Sequence, residues 1–429
     1  MSLSLVLLND TLRLHDNPLL QLPAETKAAL VVLDYRAFFG TQYGIARANL
    51  SRLQQQLAVI TYLKQQLAAH NIGLITLVGD TVQLISELAR NLNATALYCA
   101  EPVAPDERKA LSELSAVLSV TQLDCNSLLG EPLRPTLSRL ADSFTPFRKQ
   151  LEPLFQVSPP VNTLLPAEGW LNVSQCEPYN SAFEQLVMQY QPALLQRLAS
   201  EQYALARVAQ FIWQGRHILT YKDTRNQLFG LHYASFCSTP QALGNLSVRQ
   251  LWQEIVQFEQ QVEANESTYW LKFELLWREY FRWQFRKYGK LWFSKNGIKL
   301  AIRQQPDFSP PQLSAMQRDK YQRWCAGQTG IDFIDANMQL LNKTGLMSNR
   351  GRQNVASYLI HDLAIDWRLG AAYFEQRLLD YDCASNWGNW AYIAGSGNSS
   401  ARRFNVQKQA QIYDADGSFV RAMLKSSAR

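Results

Sequence analysis

Five short apolar runs, Leu3–Leu8, Ala29–Leu33, Leu74–Val78, Ala96–Cys99 and Val117–Leu123, punctuate the first third of the chain. Each is too short for a helix, so each predicts a strand buried on both faces. Between them, Arg47–Ala69 and Val82–Leu92 place apolar residues at three- and four-residue intervals, the spacing of amphipathic helices. The alternation predicts an α/β domain over residues 1–130, a Rossmann-like parallel sheet covered by helices. From Gly130 to about Pro192 the rhythm gives way to Pro-, Ser- and Asn-rich sequence such as QVSPPVNTLLPAEGW, which predicts an interdomain connector over residues 131–200. Beyond it only the helical period persists, in Ala204–Gln214, Val248–Glu263, Tyr269–Tyr288, Gly330–Leu341, Asn354–Leu363 and Gly370–Leu378. Residues 201–429 are therefore expected to form an all-α domain. No repeat or low-complexity tract is visible.

Composition narrows the class. A chain of 429 residues, 47% hydrophobic, can bury two or three cores. No run of eighteen apolar residues occurs and the amino end lacks a charged-then-apolar leader, so a cytoplasmic protein is expected, with no membrane partner. Six scattered cysteines without CxxC spacing read as reduced thiols, neither a zinc site nor a disulfide framework. Net charge is +6, unevenly spread: residues 1–200 carry 14 Lys+Arg against 17 Asp+Glu, and residues 201–429 carry 28 against 19. A basic, tryptophan-rich second half suits a polyanionic partner whose bases stack on aromatic rings.

The densest chemistry lies between Ser348 and Ala391. Asn349 and Arg352, three residues apart at the start of an amphipathic stretch, would project from one side of a helix toward a common ligand. A following loop is expected to carry Asp380, Asp382, Asn386 and Trp390, offering carboxylates to a ribose or ring N–H and an indole for stacking or electron transfer. Upstream, Tyr221 and Arg225 stand one helical turn apart, before a segment with Ser235, Phe236, Cys237 and Ser238 whose hydroxyls and N–H groups can hold a pyrophosphate. Charged residues within helical cores need a ligand or one another as partners. Together these groups fit a heteroaromatic cofactor.

The blocks NRGRQ, IDANM, GNWAY and QKQAQIYD, with NDTLRLHDNPLL at the amino end, resemble those of the photolyase/cryptochrome family and of its DASH cryptochrome branch in particular. The resemblance is strongest from about Tyr221 to Asp416. It implies an antenna-type α/β domain and a helical domain holding a U-shaped FAD against Tyr221, Arg225, residues 235–238, Glu274, Arg278, Asn349, Arg352, Asp380, Asp382 and Asn386. It places Glu274 and Trp277 against a pyrimidine dimer, with Asn349, Gln353 and Tyr392 facing the same substrate. Arg402, Arg403 and Lys408 would meet DNA phosphates. Trp390 and Trp367 match the first two members of a photoreduction chain whose third falls at Ser314, leaving Tyr321, Trp292 or Trp283 to complete a route. Three further departures are Ala234 and Thr239, which replace a hydroxyl residue and a proline in the phosphate loop, and Phe236, which stands where DASH members usually show lysine. A methenyltetrahydrofolate antenna between the domains would be held by Glu101.

The resemblance thus implies a monomeric FAD-dependent photolyase that repairs cyclobutane pyrimidine dimers, chiefly in single-stranded DNA, through the redox chemistry of its cofactor. The alternative is a blue-light photoreceptor of cryptochrome kind that binds nucleic acid or a protein without repair. An electron-transfer flavoprotein of nucleotide-binding type fits less well, because NDTLRLHDN replaces a glycine-rich phosphate turn after the first strand.

Overall fold

A computed structural model describes every residue except 1–2, 24–25, 130–135, 155, 162–167, 192–199, 299–304 and 426–429. Strands β1 (Leu3–Leu7), β2 (Thr26–Asp34), β3 (Leu74–Gly79), β4 (Ala94–Ala100) and β5 (Ser119–Leu123) form one parallel sheet in the order β3-β2-β1-β4-β5. Both faces are buried except at the edge strand β5, half-buried to exposed and so unlike the strand buried on both faces expected there, and the two-residue period sorts the side chains: Ala29, Val31 and Leu33 of β2 enter one core while Ala28, Leu30 and Val32 enter the other. Helix α1 (Leu50–Ala68) covers the first face through Leu53, Leu57, Ile60 and Leu63, and α2 (Thr81–Leu92) and α3 (Pro105–Leu114) cover the second.

The stretch read as a connector contains α4 (Phe144–Leu151) and α5 (Ser181–Tyr190), while 131–135, 155, 162–167 and 192–199 of that stretch lie outside the described residues. Its later part completes the sheet domain. Trp170 and Phe183 enter the α1-side core, and Asn180 accepts the Thr76 N–H at 2.7 Å and donates to Leu74 O at 3.1 Å, satisfying the free edge of β3.

The second half is helical: α6 (Glu201–Ala209), α7 (Val248–Gln261), α8 (Glu266–Tyr288), α9 (Ala315–Ala326), α10 (Asp332–Thr344), α11 (Asn349–Ser357), α12 (Trp367–Arg377), α13 (Cys383–Ala394), α14 (Val406–Tyr413) and α15 (Ser418–Lys425). Helix α8 runs 23 residues because Asn265 accepts the N–H groups of Ser267 and Thr268 at its start, and Gly289, at φ +52°, ends it. Helix α13 corrects an expectation, since Asn386 and Trp390 stand on it and not on a loop. Asp382 caps it by accepting the Ser385 N–H at 2.7 Å, and Gly395 at φ +73° stops it. Among the described residues no helix is long and apolar enough to cross a membrane.

The amino-terminal motif is the clamp between the halves. Arg13, fully buried, donates to Cys125 O at 2.8 Å and to Gly244 O at 2.9 Å. Asp16 holds a left-handed backbone at φ +45° and binds Arg249 through both oxygens at 2.8 and 2.9 Å, while accepting the Val161 N–H. His15 accepts the Ser247 N–H at Nε2, so its Nδ1 carries the proton toward Glu201 at 2.5 Å. Removing one partner of a buried pair strands the other charge. Asp16→Ala should therefore lower the unfolding free energy by about 3–5 kcal/mol, whereas Asp362→Ala, which breaks an exposed pair with Arg403, should cost under about 1 kcal/mol. Urea unfolding of both variants checks the contrast.

Candidate functional site

A cavity of about 330 Å³ opens in the helical half, walled by α8, α11, α13 and the segment 233–238. Asn349, Arg352 and Gln353 reach it from α11, whose first turn is fixed by Ser348 accepting the Gly351 N–H at 3.0 Å. A side chain at Gly351 would collide with the buried Asn337 amide, so α11 can sit this close to α10 only with glycine there. Glu274 and Arg278 come from α8, and Asn386 and Trp390 from α13. Tyr221, Arg225, Ser235, Phe236, Cys237 and Ser238 close the remaining side.

The charged groups are arranged in partnerships. Arg352 Nη2 binds both oxygens of buried Asp380 at 2.8 and 3.0 Å, and its Nε donates to Met347 O. Arg225 pairs with Glu274 and lies over the Trp270 ring at 4.9 Å. Burial pushes the Glu274 carboxyl above its usual range, and Arg225 opposes that shift only in part. Arg278 is pulled down to about 10 by burial and by its neighbour Arg282, while its Nη1 donates to Asn126 O at 3.0 Å. A desolvated guanidinium beside a second one is relieved by ligand anionic charge. Asn386 is held by donation to Ala371 O at 3.0 Å.

Arg207 organises the phosphate-side segment, donating to the carbonyls of Leu231, Ala234 and Ser235 at 2.7–3.0 Å and stacking over Phe236 at 5.1 Å. Phe236 itself is left-handed, at φ +56°. This strained position and its arginine brace escaped the sequence reading, because Arg207 is some thirty residues upstream of its partners. Arg350 was also missed; it donates to Gln353 Oε1 at 3.0 Å and to Asn226 Oδ1 at 2.8 Å, linking the cavity's edge to its neighbourhood. The donor set, three guanidiniums, amides, hydroxyls and one indole, fits a flat, anionic dinucleotide.

Trp277, Tyr392 and Trp367 do not line the cavity. Trp277 is stacked face to face on Phe144 of α4 at 3.7 Å and meets Tyr392 edge-on at 5.7 Å, and Arg402 lies over Tyr392 at 5.3 Å. Arg402, Arg403 and Lys408 are exposed. Trp367 contacts Trp387 at 5.9 Å and donates to Lys295 O. Ser314 is the cap of α9, accepting the Gln317 N–H at 3.3 Å.

A second cavity, about 260 Å³, lies between the halves and shares Arg278 and Asp382 with the first. Glu101 is not part of its lining; its carboxylate faces Arg286 at 3.3 Å. Glu107 is. That side chain is exposed on the cavity side, and the surrounding protein, with Asp10 and Asp382 nearby, raises its carboxyl well above the usual range. Arg282 Nε and the Tyr381 hydroxyl, both on this lining, are buried without a hydrogen-bond partner. Stranded donors beside a cluster of carboxyls mark a polar ligand site.

Comparison with known proteins agrees with this layout. Residues 4–167 match the DNA photolyase domain, and residues 270–428 match the FAD binding domain of DNA photolyase. A cryptochrome DASH of Natronomonas pharaonis is 37% identical, over all of this chain and 91% of its own length. The crystal structure of a Synechocystis sp. cryptochrome superposes with a TM-score of 0.82 at 32% identity, over 99% of this chain and 89% of that one. A bacterial class III photolyase from Agrobacterium tumefaciens shares the fold, with a TM-score of 0.78 at 23% identity, over 99% of this chain and 87% of its own. With its parallel-sheet domain, its helical FAD-binding domain and relatives that span its whole length, the chain belongs to the photolyase/cryptochrome family and to the DASH cryptochrome branch of it.

Proposed function

We propose that the protein is a light-dependent photolyase of cyclobutane pyrimidine dimers, acting preferentially on single-stranded DNA. One observation carries the reading: Glu274, Asn349 and Gln353, three of the five expected substrate-facing groups, line the same cavity as Asn386, Arg352 and Trp390, expected on the flavin side, while Trp277 and Tyr392 do not. Lesion and cofactor would then share one enclosure. Bound FAD supplies the light-driven electron; the chain's own residues position both partners and exclude water. Arg352 and Asp380 would hold the ribose side of the cofactor, and Asn386 its ring edge. Glu274, in its protonated form, would donate to a base carbonyl. Trp277, stacked on Phe144 and edge-on to Tyr392, would meet a lesion only outside that lining.

Preference for single strands follows from the same geometry. A dimer must leave the stack to enter this cavity, which costs a few kcal/mol in a duplex and little in a single strand. Arg350 occupies the Gln353 side-chain oxygen, so one acceptor fewer remains to bond an unpaired base. Light-sensing without repair is the competing role, and repair of a defined thymine dimer by chemically reduced protein decides between them.

The second cavity is assigned to a folate antenna, with Glu107 in place of Glu101. Its carboxyl cluster and unmatched donors suit the adjacent N–H and carbonyl groups of a pterin ring. Glu107→Gln should abolish methenyltetrahydrofolate uptake and its near-ultraviolet absorption band, while Glu101→Gln keeps them; the reverse result refutes the assignment.

Glu274→Ala should abolish most repair while leaving bound flavin absorption unchanged. Because the Glu274 carboxyl is raised, its donating form prevails below the elevated value and is lost as pH rises through it, so repair by wild type should fall with pH. Glu274→Gln keeps a donor at every pH, and its profile should be flat across that limb. Replacing Arg402, Arg403 and Lys408 by alanine should reduce the salt slope of single-strand binding by about 2, at roughly 0.7 per phosphate contact. Titrations at several salt concentrations measure it.

A further inference from the structure

The position where a third tryptophan would continue the photoreduction chain is a helix cap, and the aromatic packing around Trp390 leads elsewhere. Trp390 meets Trp324 at 6.2 Å between ring centroids, edge-on at 78°. Trp324 stacks on Tyr321 at 6.1 Å with ring planes 18° apart. Trp367, the expected second member, has its ring contact with Trp387, and no ring contact joins it to Trp390 among the described residues. We propose that electrons reach the flavin cavity along Trp390, Trp324 and Tyr321, with Tyr321 as the terminal donor. This rests on the reading of the cavity as a flavin site.

Each link has a physical basis. Trp390 lies against α12 because Gly370 has no side chain; a Cβ there would fall 2.2 Å from the indole. That fixes its ring between the cavity and Trp324. Trp324 is fully buried, and its indole N–H donates to Val355 O at 3.1 Å, a neutral carbonyl that does not take the proton. Its oxidised form therefore keeps that proton and passes the hole outward. Two tyrosines adjoin it. Tyr373 lies at 5.6 Å but is buried, its hydroxyl donating to two neutral acceptors, Cys325 O and Asn342 Oδ1. Tyr321 is only half-buried and its hydroxyl bonds weakly to Leu369 O at 3.2 Å. Burial keeps the Tyr321 phenol protonated at rest.

The electron balance closes with named partners. Trp390 would give one electron to bound, light-excited oxidised flavin, Trp324 would refill Trp390, and Tyr321 would refill Trp324 while its phenolic proton goes to water. The neutral tyrosyl radical is then reduced by an external thiol, which supplies one electron and one proton. Ser314 needs no replacement on this path, since Tyr321 lies two turns along the same helix, α9, on the ring that Trp324 presents.

The test is blue-flash transient absorption and paramagnetic resonance on the full-length, FAD-loaded protein with dithiothreitol as the thiol. Wild type should give a long-lived tyrosyl radical, and Tyr321→Phe, which removes only a hydroxyl, should lose that radical and most steady-state photoreduction. Trp324→Phe should lose both, while Trp367→Phe should retain both. Wild-type behaviour in Tyr321→Phe and Trp324→Phe, loss in Trp367→Phe alone, or no photoreduction in wild type overturns the route. Dimer repair by dithionite-reduced protein is assayed separately. Repair without the Trp324 route sinks only this inference, and the Trp324 route without repair sinks only the photolyase reading.

Discussion

Helix α8 imposes the constraint on which the rest of the structure depends: it buries charge on both flanks, and most of that charge is paired across the domain boundary. Glu279, with no exposed surface, accepts the N–H groups of Leu128 and Leu129 at 3.0 Å and the Trp283 indole at 2.7 Å. Arg286 binds Ser127 at 3.0 Å and faces Glu101 and Asp124. These are the residues that leave β5 for the second domain, so the sheet's exit is fixed by the same helix that presents Glu274 and Arg278 to the cavity. An isolated charge at such depth would cost several kcal/mol, and the pairing makes domain docking and site geometry one condition. The clamp at Arg13 and Asp16 and the pair of Arg47 with Glu375 at 2.7 Å reinforce it from either side.

Docking of this kind creates two cavities that share a wall. Arg278 and Asp382 belong to both linings, and Asp382 also caps α13, the helix that carries Asn386 and Trp390. Asp382 stands 4.0 Å from Arg282, whose Nε has no partner on the interdomain side. A ligand that binds Arg282 or Glu107 thus acts on the charges that set the electrostatics of the flavin side. The Coulomb coupling runs through low-dielectric protein and is weakly screened by salt.

Rigid elements carry the site, with close packing enforced by missing side chains. Gly351, Gly370 and Gly388 sit where a Cβ would strike Asn337, Trp390 and Phe281, at 2.2 Å in each case. Each lets a helix approach an aromatic or amide group closely enough to lock its orientation. Electron transfer and substrate positioning both depend on such fixed distances.

The sequence by itself determined the architecture, because the signals are local. Short, mostly apolar runs read as parallel strands, the helical period identified most of the second half, and the spacing of Asn349, Arg352, Asp380, Asp382 and Asn386 placed them on one cavity. Only the tertiary structure decided what those groups touch. The opening motif gave no sign in sequence that Arg13 would bind Cys125 and Gly244, more than a hundred residues away, or that residues 169–190 would complete the sheet domain. Helix α13 was hidden because its cap, Asp382, had been given wholly to ligand chemistry. Glu107 rather than Glu101 faces the interdomain cavity, since the turn from β4 into α3 sends one carboxylate to Arg286 and leaves the other in the gap. Periodicity fixes which face of an element is buried; which partner it meets depends on packing between segments remote in the chain.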